Sequence, residues 1–443
     1  MRRLAWFSPM PPSRTGIAAY SAEVVEALRT EHLTIDVYPE DRAHDFLWKH
    51  LKQPYDLTVY QLGNSSYHDY MWPYLFRYPG LAVLHDARLH HARGAALLRR
   101  GRVDDYRTEF ALNHPDASAD AAELAVSGFD NHLYYDWPMT ALVIGTSRAT
   151  AVHAPIFADE LRTRHPESIV ETIRLSQGEL VSDERARAAR SRIRAMYGIP
   201  ENAVLFGVMG GLTPEKRVSQ VLRALASTLL YLGGVRLLLG GAAPAYYDVE
   251  ADVRKRELQQ DVTITGYLES DDDFTDHLAA CDVSVNLRWP TAREVSGPWL
   301  RALAAGRPTI TIDLAHMADV PALDPRTWTV APVGVTSDDL PVTVALDILD
   351  EDHSLRLAML RLAEDGGMRA RLGAAARAYW LREHSKELMV DDYRRVIVRA
   401  MQAPEADASA RPQLPAHLVD VADRKLHALL EPFGLPWDPW SKL

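Results

Sequence analysis

Short apolar runs alternate with amphipathic stretches along most of this chain, and they do so in two separate sets. In the first set, residues 4–8, 33–38, 57–61, 81–85 and 141–144 read as buried strands. Residues 17–29, 67–77 and about 148–162 read as helices among them. The second set starts near Ala203, with strands expected at 204–209, 235–239, 262–265, 283–287 and 309–312. Alternation of this kind predicts parallel sheets with helices on both faces. At 443 residues the chain has room for two such domains. A charged helix at 184–196, followed by Gly198-Ile199-Pro200, separates the sets and puts the hinge at about 175–200. Residues 87–135 read as helices inserted between strands, and 355–401 as helical throughout.

Composition narrows the function classes. Apolar content is 47% and charged content 25%, ordinary for a globular chain. A net charge of −11 argues against a nucleic-acid partner, because neutralising phosphates needs a basic surface. It also limits any membrane contact to a peripheral one. The basic cluster Arg99, Arg100, Arg102 and Arg107 reads either as a solvated helix face or as a contact for an anionic lipid or acceptor. The single cysteine, Cys281, cannot form an intramolecular disulfide, which fits a reducing, cytoplasmic setting. Prolines 9, 11 and 12 break the apolar start too early for a signal peptide. No run approaches the roughly 18 apolar residues of a membrane span.

Two segments carry the chemistry. PTAREVSGPWLRALAAGRP, residues 290–308, leads from an acidic residue and a Ser-Gly turn into an apolar helix that stops at Ala-Gly-Arg-Pro. GVMGGLTPEKRVSQVLRALA, residues 207–226, is again strand, glycine turn and helix, with adjacent cations at Lys216 and Arg217. Helix starts that follow a strand and a glycine turn present backbone N–H groups suited to phosphate.

Together the segments resemble the C-terminal domain of GT-B glycosyltransferases, specifically retaining family 4. That family shows G-R-L-x-P-E-K-G after the first strand of this domain, and residues 210–217 here read GGLTPEKR. The lysine is kept as Lys216, Gly211 replaces the family arginine, and Arg217 stands where a charge would restore it. The family's E-x7-E pair falls on Arg293 and Arg301, with Glu294 beside the first. That departure looks more like the bacterial subgroup with P-T-x-G-E-T-S followed by L-R-A-L. The resemblance implies an α/β GT-B fold, with two Rossmann-like domains facing a cleft and a C-terminal helix crossing back to the N-domain. On that scheme 1–180 is the acceptor domain, 190–380 the nucleotide-sugar donor domain, 381–402 the crossover helix, and 403–443 a linker and C-terminal extension. Trp437 and Trp440 in that extension suggest docking on the chain's own or a partner surface.

The resemblance also implies site roles. Lys216 and Arg217 would balance the leaving diphosphate, with the Val295 N–H, Ser296 and Gly297 on the other phosphate. Glu294 would accept from sugar hydroxyls; as plain sequence it is equally a helix N-terminal acid. Gly211, Arg301, and Tyr267 with Leu268 complete the donor side, the last two against the base. In the N-terminal set, Gly16 and Arg14 sit on the loop after the first strand. His85 ends a strand in LHDARLHH and matches the family histidine near the donor sugar. Asn64, Tyr67 and His68, in QLGNSSYHDY, are candidate acceptor or sugar contacts, and equally a polar turn with capping roles. A metal reading of His85, Asp86, His90 and His91, or of Asp271-Asp272-Asp273, is set aside, the acid run as a helix start. No cofactor or metal is expected.

The function expected is retaining transfer of a sugar from a nucleotide sugar to a glycan, lipid-linked or small-molecule hydroxyl. The donor would draw the domains closed around it. The alternatives are a non-catalytic GT-B subunit that binds sugar nucleotide or glycan, and a GT-B epimerase or phosphorylase.

Overall fold

A computed structural model describes residues 2–30, 32–129, 133–291, 294–312, 320–330, 340–404, 414–419 and 430–434. Arg293, Trp437 and Trp440 lie outside the described residues. The chain divides into two compact units. The first comprises Met1–Arg174, Ala292–Val295 and Glu387–Leu443, and the second Leu175–Thr291 and Ser296–Lys386.

The first unit is built on six parallel strands: β1 (Arg2–Phe7), β2 (Leu33–Tyr38), β3 (Leu57–Leu62), β4 (Leu81–Leu84), β5 (Ala149–Val152) and β6 (Val170–Thr172). Their order is β2-β1-β3-β4-β5-β6. β3 and β4 are buried at every residue, as strands covered on both faces must be. The expected strand at 141–144 is instead the helix Ala141–Thr146, and β5 lies just beyond it. ALVI is too short for its periodicity to separate strand from helix. Here the Asn113 Oδ1 accepts from the Leu142 N–H and satisfies one donor of the helix start. Between β4 and β5 the insertion contains helices His90–Leu98, Val103–Asn113, Ala119–Val126 and Leu133–Asp136.

The helix Lys386–Gln402 is grouped with this unit from Glu387 onward. Its Tyr393 ring lies 5.6 Å from that of Trp6 and its hydroxyl accepts from Tyr20 at 2.9 Å. Asp392 receives two guanidinium bonds from Arg174, at 2.8 and 3.2 Å. From the C-terminal extension, Leu418 and Leu430 are buried in the apolar core of the same unit. The basic cluster is largely neutralised at home. Arg100 pairs with Asp69, Arg102 with Asp105, and Arg107 with Asp104 and Glu123.

The second unit has seven parallel strands: β7 (Val204–Met209), β8 (Val235–Gly240), β9 (Val262–Gly266), β10 (Val283–Asn286), β11 (Thr309–Ile312), β12 (Ala322–Leu323) and β13 (Thr343–Leu346). Their order is β12-β13-β11-β10-β7-β8-β9. β12 and β13, two and four residues long, are too short to show a period in the sequence. The charged helix runs Asp183–Tyr197 and ends at Gly198, whose φ of 64° is the left-handed stop that glycine provides. Cys281 is buried, and burial pushes its thiol up to about 12. Among the described residues no helix is long and apolar enough to cross a membrane.

Each sheet has one place where successive connections leave in opposite directions. In the first it lies between β1 and β3, and in the second between β7 and β10. The carboxyl ends of such strand pairs open a crevice, the usual ligand position in open α/β sheets.

Candidate functional site

In the second unit the crevice is bounded by the loop after β7, residues 210–217, and the loop after β10. The Trp289 N–H donates to the Glu215 carbonyl at 2.8 Å and ties the two together. Gly210 has φ +90°, a region that other residues rarely adopt. A Cβ there would stand 2.8 Å from Lys216 Nζ and 3.3 Å from the Pro298 ring. The glycine thus leaves room for the lysine and for the start of the helix Gly297–Ala304. We expect Gly210→Ala to weaken nucleoside diphosphate binding at least 10-fold while the chain still folds. Calorimetry checks this, and unchanged affinity would show that the close approach has no role.

Lys216 ends a short 3₁₀ turn, Pro214–Lys216, and its Nζ donates to the Met209 carbonyl. Burial, and then the nearby charge of Arg288, lower its pKa from the usual lysine value to about 7. Arg288 was not anticipated from the sequence. Its signal was available: a cation two residues beyond β10, at the end of a strand beside β7. Burial and that neighbouring charge both disfavour the charged lysine, and a bound anion would favour it.

The helix Gly297–Ala304 adds a backbone donor. Ser296 Oγ accepts from the Trp299 N–H at 3.3 Å, and the Leu300 N–H reaches the Ser296 carbonyl. Pro298 has no N–H. The N–H groups left at this helix start are therefore those of Ser296 and Gly297.

Other candidates on this side are placed differently. Arg217, expected to face phosphate, forms a two-point pair with the buried Glu351. Its guanidinium is committed to the start of the helix Glu351–Glu364 rather than to the crevice. Gly211 is exposed, with open space where a side chain would be. Arg301 bonds Asp271 at 2.9 Å and lies 5.1 Å from the Phe274 ring centre. Asp271, Asp272 and Asp273 form the first turn of the helix Asp271–Ala280, where Ser270 accepts from the Asp273 N–H. Leu268 packs on the small cluster around Met209 and Leu238, beside the half-exposed Tyr267. Glu294 and Val295 group with the first unit, not with the 190–380 donor domain expected for them.

The first unit has its own crevice. Gly16 and Arg14 are exposed after β1, and Thr15 caps the helix Gly16–Leu28 by accepting from the Ala18 N–H at 3.0 Å. Asn64 and His68 are bonded within the unit. Asn64 Oδ1 accepts from the Ala92 N–H, and its own N–H donates to Asp86. His68 Nδ1 bonds the Gln61 carbonyl at 2.8 Å, and burial lowers its pKa to about 4. Tyr67 is exposed. Among the described residues no group of three or more His, Cys, Asp or Glu is placed to hold a metal ion.

His85 is more constrained than expected. His153 Nδ1 lies 2.8 Å from the Ile173 carbonyl, so it carries the proton there. Its Nε2 then accepts from His85 Nδ1 at 3.1 Å. The remaining His85 Nε2 lies 2.8 Å from the Gln61 side-chain oxygen, which also accepts from the Tyr393 hydroxyl at 3.3 Å. Burial and the neighbouring His153 and His68 hold His85 well below the usual imidazole range. Both ring nitrogens are thus within hydrogen-bond distance of partners inside the unit, His153 and Gln61. His85, expected near the donor sugar, is held here in a network with His153 and Gln61.

Paired parallel α/β units with these strand orders form the GT-B fold. The chain is similar to sucrose-phosphate synthase from Thermosynechococcus elongatus, with a TM-score of 0.61 at 14% identity over 91% of this chain and 100% of that one. It is also similar to Anabaena HepE in complex with UDP and glucose, with a TM-score of 0.58 at 13% identity over 90% and 100% of the two chains. WaaG, a glycosyltransferase involved in lipopolysaccharide biosynthesis, has a TM-score of 0.56 at 14% identity over 89% and 99%. Residues 203–336, which include the β7 and β10 loops, match the family model described as "Glycosyl transferases group 1". No curated protein matches the chain. Fold and family match together support a glycosyltransferase of the GT-B type.

Proposed function

We propose that the protein is a retaining, metal-independent glycosyltransferase of family 4 type that uses a nucleotide sugar. The observation that carries this is the close approach, at Gly210, of the Lys216 ammonium and the start of the helix Gly297–Ala304, with the charge of Arg288 acting on the lysine. In this reading the diphosphate binds there and Lys216 and Arg288 stabilise it as it leaves. Tyr267 and Leu268 lie at the base end, and the first unit binds the acceptor. The acceptor hydroxyl attacks from the face of the departing phosphate, which takes its proton. That HepE was solved with UDP and glucose supports the donor class.

The test is incubation with a panel of sugar nucleotides, reading release of nucleoside diphosphate and the anomeric configuration of the product, with and without EDTA. Release that persists in EDTA, with a retained anomer, supports the proposal. Binding without release would favour a non-catalytic subunit, a reading that the commitment of Arg217 to Glu351 keeps open.

Titration of Lys216 gives a further expectation. Its folded pKa, about 7, lies below the unfolded value near 10.4. Between those limits the unfolded chain holds more protons, so this group's contribution to stability rises with pH across that window. Diphosphate binding behaves in the opposite sense, because it needs the charged ammonium. Affinity should fall above pH 7, by up to about 10-fold per unit, with protons taken up on binding. Calorimetry in buffers of different ionisation enthalpy reads that uptake, and a flat profile from pH 6 to 9 would contradict it.

A further inference from the structure

A cavity of about 290 Å³ lies in the first unit, between the helix Pro155–Arg164 and the turn Asp136–Thr140. It is near the lower limit of about 300 Å³ for small-molecule sites. We propose that it binds a neutral pyranose unit of the acceptor, stacked on Trp137; the word acceptor rests on the glycosyl-transfer reading above.

The chemistry of the walls selects the ligand. Phe157 and Leu161 supply an apolar floor, and Trp137 an aromatic wall. The lining holds both charge signs, Arg88 and Arg164 with Asp116, Asp136 and Glu160, and Arg164 pairs with Glu160 at 2.8 Å. A simple anion or cation would meet repulsion from one set. A sugar hydroxyl both donates and accepts, so it satisfies both sets, while the C–H face of the ring covers the indole.

The wall is built to stay in place. Met139 holds φ +55°, an unfavourable conformation for a residue with a side chain. Its N–H donates to His114 Nε2 at 3.2 Å, the preceding Pro138 carbonyl accepts from Leu89 at 2.9 Å, and Leu142 is held by Asn113. Phe110 and His114 abut the Trp137 ring edge-on, at 5.7 and 5.2 Å. With Nε2 accepting, the neutral His114 carries its proton on Nδ1, one more donor in the lining. Ala87 and Arg88, which line the cavity, follow the end of β4 closely in the chain.

Saturation-transfer NMR on the full chain, with methyl α-D-glucopyranoside and maltose as probes, tests this. We expect transfer to the sugar ring protons at millimolar concentration, lost at least 10-fold in Trp137→Ala and reduced in Asp136→Asn. Trp137→Phe, which keeps an aromatic wall if the alanine variant folds poorly, should retain most of it. Lys216→Ala should bind these sugars normally. Equal transfer in wild type and Trp137→Ala, no transfer at all, or displacement of the sugar by inorganic phosphate would overturn the inference. Turnover of a sugar nucleotide without sugar binding in this cavity would sink the inference alone. Sugar binding here in a chain that turns over no sugar nucleotide would support the cavity and remove the transferase reading.

Discussion

Lys216→Ala is expected to reduce turnover with the cognate sugar nucleotide by about 10²–10³-fold, the usual cost of removing one preorganised donor to developing charge. The lysine is placed by three local features. Gly210 leaves the space, the Met209 carbonyl holds Nζ, and Arg288 supplies the second charge. Without Nζ the Met209 carbonyl loses a partner, at a cost of about 1–3 kcal/mol. Loss of the poorly solvated ammonium offsets part of this, so the fold should survive. Lys216→Arg should not rescue, because the larger guanidinium meets the same close contact at Gly210. Turnover within 3-fold of wild type in a folded Lys216→Ala protein would remove the lysine from the mechanism.

Glu109→Ala should cost about 3–5 kcal/mol, the usual penalty for stranding one member of a buried ion pair. Glu109 is fully buried in the helix Val103–Asn113 and takes two bonds from Arg93, which lies over the Trp72 ring at 4.6 Å. His417 of the C-terminal extension reaches the same carboxylate at 2.6 Å. Burial alone would raise this carboxyl, but Arg93 and His417 together bring it below the ordinary glutamate range. Such a group stabilises the fold above the unfolded value near 4.3, and that stability is lost as pH falls through the folded value. The variant should therefore unfold at lower denaturant. A shift below 1 kcal/mol by urea denaturation would contradict this role.

The fold was legible because parallel strands buried on both faces read as apolar runs. β2, β7 and β11 begin and end where the sequence placed them. What failed was local competition, as where ALVI became a helix once Asn113 satisfied one of its first donors. The places of Lys216 and Gly297 in the fold, each beyond a strand and at the lead-in to a helix, were legible from the glycine turns beside them. The commitment of Arg217 was not, since Glu351 lies 134 residues away and no spacing announces that pair. His85 shows the same limit. Its position at a strand end is sequence information, but its tautomer depends on Gln61 and His153, which the fold alone brings to it.

The most direct measurement is calorimetric titration of UDP, ADP and GDP, each against its parent nucleoside, into wild type and Lys216→Ala. One diphosphate should bind wild type at micromolar to submillimolar level without added metal, taking up protons at pH 8. Its nucleoside should bind at least 10-fold more weakly, and the variant should lose that difference. Equal affinity for nucleoside and diphosphate, or a diphosphate affinity unchanged in Lys216→Ala, would contradict a diphosphate site at the ends of β7 and β10.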